Sequence, residues 1–378
     1  VPVALAPAID TTTAPVVPPR TIDFTCDGFE LKQALATLKP AVSLRGGALP
    51  VLSGVRITAD ANGVHLLATD LELTIAVTLE NAVADGYGVA VVPFGQLHAL
   101  VEGAAAKKPV TLRANLEADD EMRLDVGKRN RVVRLLAADE FPRLARPAGD
   151  EMVAIDAELL GLVLPAVSPD DARPILTGVL VGGESGQIVA TDSYRLYVVD
   201  GPATAEAMLI PGRAIKQVVR AGGSPLMLTG EREVSFEWPD RNLRITCRLI
   251  EGEFPNYRGL IPVSHPNRWH LDDKDTVIEA CKASTKFGEP NTPIRITPVE
   301  GGFSFKTVVQ GVGSEEFFVA GRCEHGDDLT VAFNPAYLGN VVAGLPAEAV
   351  LDTVDALKPA LFKGERGLLR LLMPVRVS

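Results

Sequence analysis

The sequence predicts an α+β protein built from three tandem repeats of one domain, each with two short helices among antiparallel sheets. Three observations carry this: sequence echoes about 120 residues apart, helix-like runs outnumbered by strand-like ones, and proline-led helical runs at equivalent places. At 378 residues the chain is long for one core and suits about two or three domains. Hydrophobic residues at 47% and charged residues at 22% are globular values.

The first twenty residues are broken by proline and lack an early positive charge, so 1–20 reads as a disordered Pro/Ala-rich extension rather than a signal peptide. The first repeat then spans 21–148, the second 149–263 and the third 264–378. In the first, Leu31, Ala34, Leu35 and Leu38 share one helical face, with Lys32 and Lys39 seven residues apart on the same helix. Pro40-Ala41-Val42-Ser43 closes that run and recurs as Pro165-Ala166-Val167-Ser168, with a looser copy at Cys281-Lys282-Ala283-Ser284. Next, Leu49-Pro50-Val51-Leu52-Ser53-Gly54-Val55 matches Arg173-Pro174-Ile175-Leu176-Thr177-Gly178-Val179, and Thr292-Pro293-Ile294-Arg295-Ile296 stands third. Asp60-Ala61-Asn62-Gly63 between two apolar runs is a hairpin signal. Ala68-Thr69-Asp70 returns as Ala190-Thr191-Asp192. Pro93, Pro211 and Pro335 each open a helical run, and Glu140-Phe141-Pro142, Glu253-Phe254-Pro255 and Met373-Pro374 close the repeats. Leu243 to Leu249 alternates, which predicts one face inward and one in solvent. Such units in a row leave sheet edges open at both ends, and an open edge invites self-association.

Catalytic and metal motifs are missing. His65, His98, His265, His270 and His325 show no metal-ligand spacing, and there is no phosphate loop, dinucleotide fingerprint or nucleophile elbow. Gly182-Gly183 and Gly301-Gly302 read as hairpin turns, and Asp70 and Asp192 as turn residues that bind their own backbone. Cys26, Cys247, Cys281 and Cys323 lie far apart without a CxxC pair, which suits reduced thiols in a cytoplasmic protein. No apolar stretch is long enough for a membrane helix, so a soluble, non-membrane protein without cofactor or metal is expected.

The net charge of −11 argues against a nucleic-acid partner, yet the cations are unevenly placed. Arg213, Lys216 and Arg220 form a stripe on the helix after Pro211, opposite Ile215, Val218 and Val219, and Lys282 and Lys286 are an i, i+4 pair. With Lys32 and Lys39, a helix in each of the three repeats carries cations, which suits sequence-independent contact with phosphates. Only 5% aromatic residues favours duplex over single strand.

These motifs, with Ala68-Thr69-Asp70-Leu71-Glu72, Ala190-Thr191-Asp192-Ser193-Tyr194-Arg195-Leu196, Glu253-Phe254-Pro255-Asn256-Tyr257-Arg258, Phe333-Asn334-Pro335-Ala336-Tyr337-Leu338 and Met373-Pro374-Val375-Arg376, resemble the bacterial DNA polymerase III beta subunit, the sliding-clamp family, over about residues 21 to 377. The resemblance implies three DNA-clamp domains per chain, closing as a six-domain ring in a head-to-tail homodimer. It implies a non-catalytic processivity factor that encircles double-stranded DNA and tethers the replicative polymerase, the clamp loader and other clamp-binding-motif proteins. Matched motif by motif, the client pocket is Leu176, Thr191, Tyr194, Arg195, Leu196, Pro255, Leu260, Leu372, Met373, Pro374, Val375 and Arg376. The DNA-facing set is Lys32, Lys39, Arg45, Arg173, Arg213, Lys216, Arg220, Lys282 and Lys286, and the dimer edge is Arg131, Val132, Val133, Arg134 and Leu135. Two departures bear on clients: Ser193-Tyr194 stands where Gly-His is common, and Gly259 where a larger, often basic residue is usual. The Ser193-Tyr194 pair motivates one alternative, a divergent clamp-like binding module, a second copy with a regulatory or inhibitor-tolerant role and no general replicative one.

Overall fold

The computed structural model describes residues 21–43, 49–102, 108–116, 120–144, 147, 152–289, 292–325 and 328–376. The extension 1–20, Arg45 and the junction at 148–149 lie outside the described residues.

One element order recurs three times. The first copy runs β1 (Thr21–Asp27), α1 (Gly28–Leu38), β2 (Gly54–Asp60), β3 (Gly63–Thr69), β4 (Leu73–Leu79), β5 (Val83–Gly86), β6 (Gly88–Pro93), α2 (Phe94–Glu102), β7 (Pro109–Asn115), β8 (Glu121–Val126) and β9 (Arg129–Arg134). The second runs β10 (Met152–Ala154), α3 (Ala157–Val163), β11 (Gly178–Gly182), β12 (Gln187–Thr191), β13 (Arg195–Asp200), β14 (Ala207–Pro211), α4 (Gly212–Ala221), β15 (Leu226–Thr229), β16 (Glu233–Trp238) and β17 (Leu243–Arg248). The third runs β18 (Asn267–Leu271), α5 (Lys274–Phe287), β19 (Ile294–Val299), β20 (Gly302–Val309), β21 (Gly313–His325), β22 (Val331–Phe333), α6 (Pro335–Ala343), β23 (Ala349–Thr353), β24 (Ala360–Lys363) and β25 (Leu369–Leu372). Only β5 has no counterpart in the other copies.

Local chemistry sets the helix ends. The carboxylate of Asp27 accepts from the Phe29 and Glu30 N–H groups, Asp156 from Glu158, Asp273 from Thr276, and the Asn334 amide oxygen from Ala336 and Tyr337. Pro335 is the only one of the three repeated prolines in the first turn; Pro93 and Pro211 end the preceding strands. Lys39 falls just past α1, in a short 3₁₀ turn with Pro40, because a proline there cannot prolong the α ladder.

Among the described residues the strands form three antiparallel sheets: β5-β1-β7-β8-β9, then β10-β15-β16-β17-β4-β3-β2-β6, then β14-β11-β12-β13-β25-β24-β23-β18-β21-β20-β19-β22. Two joints cross repeat boundaries: β17 of the second copy pairs with β4 of the first, and β25 of the third with β13 of the second. Consequently β17 is an interior strand, and the expected alternation breaks at Arg244, which is buried. The chain divides into two compact units, Val1–Ile155 with Gly223–Leu249, and Asp156–Gly222 with Ile250–Ser378. Phe24, Leu31, Leu35 and Leu38 belong to the core of the first unit; Tyr197, Trp269, Phe303, Phe305, Phe333 and Phe362 to that of the second. Cys26 and Cys281 are packing groups, since burial pushes both thiols up to about 12.

Candidate functional site

The Thr191–Arg195 turn organises the predicted pocket. It joins β12 to β13, and Thr191 Oγ1 donates to the Arg195 carbonyl at 2.7 Å while accepting from the Ser193 N–H at 3.2 Å. Asp192 Oδ1 accepts from the Tyr194 and Arg195 N–H groups at 2.9 and 2.7 Å, so the aspartate serves its turn as expected. It also has a second duty. Asp192 Oδ2 accepts from Arg195 Nε at 3.0 Å and Nη2 at 2.8 Å, a buried pair. Ser193 takes φ +78°, and the turn leaves the Tyr194 ring exposed.

A helix and the chain's last segment meet this turn. The Arg195 guanidinium lies 4.3 Å from the ring centroid of Tyr337, in the first turn of α6, and the rings of Tyr194 and Tyr337 are 5.9 Å apart. Past the Arg195 and Leu372 register pair, the Met373 N–H donates to the Tyr194 carbonyl at 2.9 Å, and the Val375 N–H to the Ala332 carbonyl at 2.7 Å. Residues 373–376 therefore run from β13 across to β22. Beneath them Leu196 packs with Val189, Val198, Tyr257, Leu361 and Leu371, and Phe254 and Ile261 cover the cluster's flank. Tyr257 anchors its loop by donating to Gln187 Oε1 at 2.7 Å.

The twelve predicted pocket residues thus split by exposure. Leu176, Thr191, Arg195, Leu196 and Leu372 are buried; Tyr194, Pro255, Leu260, Met373 and Arg376 are exposed; Pro374 and Val375 are half-buried. Sequence reasoning missed Tyr337, although it stands inside a quoted motif, and it missed Asp192 as the counter-ion of Arg195.

The predicted cations lie where a helix face allows. Lys32, Arg213, Lys216, Arg220, Lys282 and Lys286 are exposed on α1, α4 and α5, opposite buried residues such as Leu31, Ile215, Val218, Val277 and Cys281, and Lys39 is exposed just after α1. Arg173 is tied to the pocket turn, with Nη1 donating to Ser193 Oγ at 3.1 Å and Nε to Asp170 Oδ2 at 3.1 Å. Arg131, Val132, Val133 and Arg134 lie on β9, followed by Leu135. That strand ends its sheet, pairing with β8 alone among the described residues, and Val132 is exposed. Residues 313–320 of β21 likewise pair only with β20.

Two family models match, the DNA polymerase III beta subunit N-terminal domain over residues 22–145 and its central domain over 157–256. The beta sliding clamp of Synechococcus elongatus is 30% identical over 351 residues, covering 87% of this chain and 90% of that protein. The beta sliding clamp of Streptomyces coelicolor is 27% identical over 362 residues, covering 87% and 93%. Among solved structures, the sliding clamp of Pseudomonas aeruginosa bound to griselimycin superposes with a TM-score of 0.85 at 22% identity, covering 94% of this chain and all of that one. The C. crescentus beta sliding clamp gives 0.86 at 22%, covering 94% and 99%.

Proposed function

The chain belongs to the beta sliding clamp family, the DNA polymerase III beta subunits, and we propose that two copies close head to tail into a ring of six repeats that holds duplex DNA and recruits clients at the Tyr194–Met373 pocket. It is a sliding clamp for processive DNA replication, with DNA, a second copy and polymerase-type clients as partners. Its part is a non-catalytic tether, working in the cytoplasm. The three repeats, at 21–148, 149–263 and 264–378, are its clamp domains.

One observation carries the ring. Both joints inside the chain are made the same way, by the last strand of one repeat laid antiparallel on the strand that follows the Thr-Asp turn or its equivalent: β17 on β4 and β25 on β13. Among the described residues, the two strands of that kind left without a cross-repeat partner are β9 and β21. Seating β9 of one copy on β21 of another repeats the joint, and a head-to-tail contact that closes gives a ring. Arg131 to Leu135 supply one side.

The cations on α1, α4 and α5, with Lys39, Arg45 and Arg173, are read as the DNA-facing set, contacting phosphates without base readout. Exposed Tyr194, Pro255, Leu260 and Met373 over an apolar floor fit the leucine or phenylalanine anchors of a short peptide. Two or three such anchors contribute roughly 1.5 to 3 kcal/mol each when fully buried, and lost motion offsets much of it, giving about micromolar affinity.

Sedimentation and DNA retention test the reading. A dimer of twice the chain mass is expected, and clamp-loader-assembled protein should stay on closed circular DNA yet leave after linearisation, because phosphate contacts alone release in salt. A monomer at all working concentrations, or equal retention on linear and circular DNA, refutes it. Arg213, Lys216 and Arg220 changed together to alanine should impair loading or retention without altering the dimer.

A further inference from the structure

A second arginine, absent from the pocket as predicted, holds the far end of the helix that carries Tyr337. Arg370 lies on β25 directly opposite Tyr197 on β13, and both side chains are buried. Its guanidinium lies 4.9 Å from the Tyr197 ring centroid, and Nη1 donates to the Val341 carbonyl in the last turn of α6. A cation at a helix C-terminus meets the negative end of the backbone dipole, and a charge-assisted bond to a terminal carbonyl satisfies an acceptor that the helix cannot. Among the described residues no carboxylate forms an ion pair with Arg370, and the helix end and the aromatic ring face this buried charge. Burial lowers its pKa from the usual guanidinium value and raises that of the Tyr197 phenol, the latter against the pull of Arg370 and Arg195.

The residue after α6 is shaped to this contact. A Cβ at Gly344 would overlap the guanidinium nitrogens and lie 2.8 Å from Arg370 Cζ, while Gly344 itself has a negative φ of −101° that any residue adopts. The glycine is therefore required for room beside Arg370 and not for backbone conformation.

Helix α6 is thus gripped at both ends by guanidiniums from one ribbon, Arg195 of β13 over Tyr337 in its first turn and Arg370 of β25 at its last. The same ribbon carries the Tyr194 turn and runs into Met373. We infer that Arg370 is a positioning residue for client binding: by docking the C-terminal end of α6 on the β13/β25 ribbon, it sets where Tyr337 stands against Tyr194 and so the width of the client pocket. The inference rests on the reading of that pocket as the client site.

The test is a double-mutant cycle with the full-length dimer and a fluorescein-labelled synthetic nonapeptide bearing leucine and phenylalanine anchors. Arg370→Met keeps the length and apolar bulk of the side chain and removes the cation. It should weaken the peptide about tenfold in the wild-type background and less than twofold when Tyr337 is already alanine. Arg370→Lys, which keeps a donor for Val341, should recover most of the loss. Gly344→Ala displaces the guanidinium without deleting it and should reproduce the weakening, which decides the matter if Arg370→Met does not fold. Equal losses with and without Tyr337, or unchanged affinity in both Arg370→Met and Gly344→Ala, overturns the positioning role. Met373→Ala separates the two levels: if it weakens the peptide and the Arg370 and Gly344 variants do not, only this inference falls, whereas no effect of Met373→Ala removes the pocket reading and the inference with it.

Discussion

The Thr-Asp turn occurs twice, with one backbone and two chemistries. In both turns the threonine hydroxyl donates to the carbonyl four residues on, and one aspartate oxygen accepts from the N–H groups two and three residues on. Leu71 and Ser193 both take φ +78°. The incoming strand is bound alike, by Arg248 N–H to the Glu72 carbonyl at 3.0 Å and Met373 N–H to the Tyr194 carbonyl at 2.9 Å. Two residues further, Ile250 donates to Leu209 as Val375 does to Ala332. The side chains then part company. The first turn places Glu72 3.6 Å from Arg248, both half in water, and buries Leu73. The second places Tyr194 beside Met373 and replaces the buried leucine with Arg195, held by Asp192 and lying over Tyr337. The two turns thus share one joint, and a few side chains distinguish the one proposed as the docking surface.

Breaking the second joint should have the largest effect. Deleting residues 373–378 removes the segment in which Met373 stands where the first joint has Arg248, and calorimetry should find peptide binding nearly abolished while sedimentation still shows the dimer. Next comes the aspartate pair. Asp192→Ala strands the buried Arg195 without its counter-ion and should cost about 3 to 5 kcal/mol in urea titration, whereas Asp70→Ala loses the turn hydrogen bonds to Glu72 and Leu73 and should cost about 1 to 2 kcal/mol. Equal costs would show that Arg195 finds other compensation.

Smaller effects sharpen the same contrast. Met373→Ala truncates an adaptable side chain that is 41% exposed, so peptide affinity should fall by about 1 kcal/mol, near fivefold, while Arg248→Ala at the first joint should leave it unchanged. Tyr194→His keeps an aromatic ring of smaller area beside Tyr337. Across a set of peptides it should reorder affinities more than it shifts their mean.

Much of this was legible because its causes are local. Repeated Pro50 and Pro174, the Thr-Asp pairs and the glycine hairpins are demands of particular turns, and they betray a repeat even where strand residues have diverged. The helix faces carrying Lys216 and Lys282 follow from periodicity alone. What stayed hidden depends on distant partners. Nothing near Leu243 announces that β17 lies between two strands, so the alternation points Arg244 to solvent although it is buried. Tyr337 stands within a recognisable motif, yet its place against Arg195 exists only once α6 is docked. The lysine spacing puts Lys39 on the helix, and Pro40 overrules the spacing.

The two cross-repeat strands also say where this molecule can be cut. The proposed repeat boundaries do not coincide with its compact units, which change at Ile155, Gly222 and Leu249, inside the middle repeat. Severing the gene at the repeat boundaries would leave β4 of the first fragment without β17, β17 and β13 of the second without β4 and β25, and β25 of the third without β13. Such fragments should be sticky and poorly expressed, each displaying the raw edge its neighbour normally occupies. A designer wanting one transplantable module should therefore carry the third repeat together with β11 to β14, their two helices and the loop that Tyr257 anchors.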